Sequence, residues 1–175
     1  MVPTVTQQLR SMRRRFCDTI LPALPPDAEF AHEQANLMLA TFDWLLDTHE
    51  HEYRYQVVEN NEYRSLLTEL VFLAGAAVGE QLREEADACL AEPGPAPGEA
   101  SIPQADLADQ TRRLKEHAMR LVSALLADSE SAEARALLAK TARAQGHRDL
   151  AYYRLTGFPR DAAEIQSTLD SVQHD

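Results

Sequence analysis

The run Asp47-Thr48-His49-Glu50-His51-Glu52 gathers imidazoles and carboxylates within six residues, a set suited to metal ligation or proton transfer. Spacing restricts it. Residues two apart on a helix point about 200° from each other, so His49 and His51 cannot chelate one ion from regular helix. His49, Glu52 and Tyr53 stand at i, i+3 and i+4 and share a side of the predicted helix with Met38, Phe42 and Leu45. The reading adopted is a hydrogen-bonded polar pair facing a helical bundle, because an unpaired charge there would cost several kcal/mol or shift its pKa. A ligand-binding or catalytic pair, with Tyr53 beside it, is the alternative. A metal would need further ligands from Glu59, Glu62 or His117, and their spacing does not bring them together, so no metal site is expected.

Glu29-x-x-His32 has the spacing used by carboxylate-bridged di-iron bundles, but such bundles need two such pairs and two more glutamates. The chain has no H-E-x-x-H, no G-x-S-x-G, no P-loop and no dinucleotide-binding glycine fingerprint. No catalytic residue and no cofactor is therefore assigned. Cys17 lies next to arginines that could lower its thiol pKa, yet beside Phe16 and Ile20 it reads as a packed, small apolar residue. Arg10, Arg13 and Arg14 are candidates to contact an anion or a partner, against a plainer reading as a face paired with this acidic protein.

These residues need helices to carry them. Val5, Leu9, Met12, Phe16 and Ile20 mark a first helix over about 4–21, with the arginines off its apolar face. Nothing from Asp27 to Glu92 interrupts a helical pattern except Gly75, Gly79 and Asn60-Asn61, so two helices meeting near Asn60 are predicted. On the later one, Phe72 points away from the apolar face and the small run Ala74 to Gly79 permits close approach by a neighbour. Phe72, Gly75 and Gly79 are accordingly the expected homodimer contact. Residues 92–103, with four prolines and two glycines in twelve, read as an extended mobile linker. Ser101 and Gln104 fit a capping box opening a fourth helix to about Ala127. Three shorter helices follow, over 129–145, 148–156 and 159–172.

The expected fold is an all-α, four-helix-type bundle with additional shorter C-terminal helices, residues 1–175 forming one domain. With 28 acids against 17 bases and a net charge of -11, the chain is a poor match to nucleic acid or an anionic membrane. Its longest uncharged run, Leu70 to Gly79, is half of what a membrane-spanning helix requires. The two cysteines form no disulfide framework, and no secretory segment is evident, so a cytoplasmic location is expected.

Ile20-Leu21-Pro22-Ala23-Leu24-Pro25, followed by Phe30-Ala31-His32-Glu33-Gln34-Ala35-Asn36-Leu37, resembles a group of uncharacterised bacterial all-helical proteins. Those proteins are encoded beside acyl-CoA dehydrogenases and aminoglycoside-phosphotransferase-like kinases. The resemblance spans about residues 9–46; it implies an accessory role near acyl or phosphoryl metabolism and supplies no catalytic residue.

The functional expectation is a non-catalytic accessory or interaction protein that works through helical surfaces on a protein partner or a second copy. A small-molecule-binding or weakly enzymatic bundle lined by His49 and Glu52 is the alternative. Because residues 92–103 offer no apolar anchor except Ile102, limited proteolysis of the native protein should cut there first, and preferred cleavage within 61–90 would contradict the division into helices.

Overall fold

The computed structural model describes residues 2–75, 77–96, 100–128, 131–156 and 162–171. Among them are seven α-helices and no strand: α1 (Val5–Arg15), α2 (Glu29–Thr48), α3 (Glu52–Ala74), α4 (Glu80–Ala91), α5 (Gln104–Asp128), α6 (Ala132–Tyr152) and α7 (Ile165–Ser171). The all-α expectation holds, with several boundaries moved. The long helical stretch breaks at 49–51 rather than near Asn60, which lies buried within α3. It breaks again at Gly75, whose φ of +47° only glycine adopts without strain, so the predicted third helix is two. The capping box is found at α1, where Thr4 Oγ1 accepts from the Gln7 amide and Gln7 Oε1 from the Thr4 amide. Ser101 is not a cap: α5 starts after Pro103, and the Ser101 hydroxyl accepts from the Ala96 amide. α6 runs unbroken through Gly146, joining two of the predicted short helices; of the last, α7 is described, while Pro159 and Val172 lie outside the described residues.

The chain divides into two compact units, one made of the described residues of 1–52 and 148–171, the other of those of 53–147. In the terminal unit α1 and α2 run antiparallel, joined by a π turn at Phe16–Ile20 and a 3-10 turn at Leu21–Ala23. Thr6 bonds His49, Arg13 pairs with Asp43, and the Phe16 ring meets Phe42 at 6.2 Å. Trp44 donates its indole N–H to the Tyr152 carbonyl at 2.9 Å and contacts the rings of Tyr152 and Tyr153. Arg154 grips both oxygens of Asp47, at 2.9 and 2.5 Å.

In the central unit four helices share one apolar core: Leu66, Leu67, Leu70 and Ala74 of α3, Ala86 and Cys89 of α4, Leu114, Ala118, Leu121, Val122 and Leu125 of α5, and Ala134 of α6. The four-helix body is thus α3 to α6 rather than the first four predicted helices.

Beside that core lies a polar network. The Asn60 amide nitrogen donates to Gln110 Oε1 at 3.1 Å and to Thr111 Oγ1 at 2.9 Å, and Asn60 Oδ1 accepts from Arg64 Nε at 2.9 Å. Gln110 passes the network on to the Pro93 carbonyl at 3.0 Å, while Arg64 reaches the Leu90 carbonyl at 3.2 Å. A Cβ at Gly94 would lie 3.1 Å from Arg64 Nε, so glycine lets this segment lie close to α3. Farther along, the Tyr53 hydroxyl donates to the Ile102 carbonyl at 3.1 Å. The expected linker is therefore held to helices on both sides of residues 97–99, which lie outside the described residues.

Asn60→Ala strands Gln110 and Arg64 beside the core and should cost about 2–3 kcal/mol of stability, whereas Asn61→Ala, on the exposed side, should stay within about 0.5 kcal/mol in denaturant titrations.

Candidate functional site

Three sequence-derived candidates meet different fates. His49 caps the end of α2 and bonds both ring nitrogens: Nδ1 lies 2.8 Å from the Leu45 carbonyl and Nε2 3.0 Å from the Thr6 hydroxyl. Thr6 also donates to Glu50 at 2.6 Å, and this bond, ahead of the nearby His49, holds the Glu50 carboxyl below its ordinary range. The expected His49–Glu52 pair is not formed. Glu52 is exposed, because the helix stops after Thr48 and restarts at Glu52, which breaks the i, i+3 geometry. Tyr53 belongs to the central unit and spends its hydroxyl on Ile102.

Of the arginines, Arg13 forms a bidentate pair with Asp43 that raises its pKa above the ordinary value, Arg14 bonds Asp18 one turn on, and Arg10 stays exposed. Cys17 is half-buried, and burial pushes the Cys89 thiol up, away from thiolate chemistry. Among the described residues no group of three or more His, Cys, Asp or Glu could hold a metal ion, and no helix is long and apolar enough to cross a membrane.

The third candidate contains an exposed aromatic ring beside a groove. Phe72 is 86% exposed on α3, and an exposed ring gains meaning where it adjoins further apolar surface. Gly75 and Gly79, expected beside it on a helix face, instead form the α3–α4 turn: Gly75 supplies the positive φ and a carbonyl to Arg83, and Gly79 precedes α4. Phe72 has different companions. With Thr68, Glu69 and Leu73 of α3, and Glu133, Ala136, Leu137 and Lys140 of α6, it lines an open, mainly apolar groove of about 600 Å³. The two helices run antiparallel, the Tyr63 hydroxyl donating to Gln145 Oε1 at 2.8 Å at one end, so Phe72 faces the level of Ala136 and Leu137. The α6 wall was missed from sequence, although Glu133, Leu137 and Lys140 recur at spacings of four and three that put them on one face.

No family model, curated protein or solved structure matches this chain.

The electrostatics of the central unit yield a pH dependence. Arg113 bonds Glu92 at 2.6 Å and, assisted by Gln110, holds its carboxyl below the ordinary range against the opposing effect of burial. Because the folded value lies below the unfolded one, this contribution is complete above the ordinary carboxylate range and fades as pH falls through the folded value. The denaturant midpoint should therefore decline below about pH 5, and Glu92→Gln should lose less over that window than the wild type.

Proposed function

We propose that the protein is a non-catalytic accessory or interaction protein acting through helical surfaces, and that the α3–α6 groove is its main contact surface. One observation carries the reading: an almost wholly exposed phenylalanine stands at the lip of an open apolar groove. Water in such a groove is released when a complementary apolar surface enters, and a ring already in place forfeits little conformational entropy on binding. Exposed Val5 and Met12 of α1 and Phe30, Leu37 and Met38 of α2 give the terminal unit further apolar helix surface of the same kind. The occupant is a protein partner or a second copy of the chain. The resemblance over residues 9–46 agrees with an accessory role beside acyl- or phosphoryl-transforming enzymes, and two free thiols agree with a reducing cytoplasm. The alternative of a small-molecule site at His49 and Glu52 has weaker support, because both His49 nitrogens are already engaged by the protein.

An environment-sensitive apolar dye titrated against dilute native protein tests the groove. Saturable fluorescence should appear for the wild type and fall several-fold in Phe72→Glu. That substitution lies on an exposed position and should leave the circular dichroism spectrum and, within a few degrees, the melting temperature unchanged. Equal dye binding by both proteins would remove the groove from consideration.

A further inference from the structure

We propose that the α3–α6 groove is completed by the same groove of a second copy, packed about a two-fold axis that crosses α6 near Ala136 and Leu137. The inference rests on the reading of the groove as a contact surface and supplies its occupant.

The argument is one of self-complementarity. A two-fold interface uses one patch on both subunits, so each feature on the patch must find its counterpart elsewhere on the same patch. This patch offers a knob and a hole together: the ring of Phe72 protrudes, and the apolar space between Leu73 and Leu137 receives. It also offers opposite charges at matched positions. Glu133 and Lys140 are both exposed groove residues, and among the described residues neither has an ion-pair partner. Seven residues apart, they share a face of α6 about 10 Å from each other along its axis, with Ala136 and Leu137 between them. A perpendicular two-fold at that midpoint lays the partner's α6 antiparallel on the first. Each Lys140 then comes to a Glu133 across the axis, giving two equivalent pairs that flank the inserted Phe72 rings. Phe72 sits at the level of the midpoint, where a two-fold brings both rings closest. Ala136 of the groove and Ala132 one turn before it, both exposed on α6, are small enough for the helices to approach.

Sedimentation equilibrium of the full chain tests the arrangement. Wild type should be a micromolar dimer whose dissociation constant weakens at least tenfold in Phe72→Glu. Lys140→Glu sets carboxylates against each other at both pairs, and Glu133→Lys does the same with ammonium groups; each should weaken the dimer about tenfold. The double exchange Glu133→Lys with Lys140→Glu should restore it, an outcome that damage to folding cannot produce. A dimer indifferent to all four proteins overturns the proposal. A wild type that stays monomeric at high concentration also overturns it; if Phe72-dependent dye binding then persists, the groove remains a contact surface for a different protein, and if dye binding is absent too, both readings fall.

Discussion

The buried Asn60 fixes what the rest of the central unit can do. Its amide has no water to turn to, so it must meet Gln110 and Thr111 of α5 while its oxygen takes Arg64 from its own helix. Apolar side chains tolerate sliding along one another; two directed hydrogen bonds to α5 do not. The network therefore sets the register of α3 against α5, and through Gln110 and Arg64 it also ties in the chain that leaves α4. Once α3 is placed, Tyr63 is placed, and its hydroxyl picks out Gln145 on α6, while Lys115 lies over the Tyr63 ring at 5.0 Å and bonds Glu59 at 2.8 Å. Phe72 faces the middle of the α6 wall as a consequence of contacts made two to three turns away.

Why the groove stays open follows from side-chain volume. Where α3 and α6 meet the core they use Leu66, Leu67, Leu70 and Ala134. One face farther out the groove is lined by Glu133, Ala136, Leu137 and Lys140 of α6 and by Thr68, Glu69, Phe72 and Leu73 of α3, and of these only the two leucines are half-buried apolar residues. Ala136 is too small to fill the gap, and the charged chains keep their heads in water. A leucine at position 136 would close much of the space, and the sequence does not provide it.

The all-helical class was legible in the sequence because apolar periodicity is redundant: many residues repeat the same message over 20 or more positions of α2, α3 and α5. Punctuation was less legible. Asn60-Asn61 looked like a break and is a buried hydrogen-bonding node, since an asparagine in a helix can be stabilised by distant partners that no local pattern reveals. Gly146 looked like a stop and is helical, whereas Gly75, with the same local appearance, takes a positive φ. The His49–Glu52 pair failed for a related reason: its geometry assumed continuous helix across 49–51, and the interruption gave His49 to Thr6 of another helix. Phe72 was legible as an outlier because a single large apolar residue opposite the apolar face of a helix breaks the periodicity. Its groove was not, because half of it comes from a helix about 60 residues later whose apolar and polar residues are spread around the axis.

The charge of the chain limits how any contact surface on it can work. At a net charge of -11, two copies repel each other over distances comparable to the screening length of about 8 Å in physiological salt. Association must then be held by short-range terms that survive screening, namely apolar burial and charge pairs brought nearly into contact. The groove fits that requirement: its centre is apolar, and its lysine stands among carboxylates rather than in a basic patch that would attract anions from afar. Long-range repulsion disfavours the many encounters that lack such a fit, so the acidity of the chain restricts contact to surfaces that match in detail.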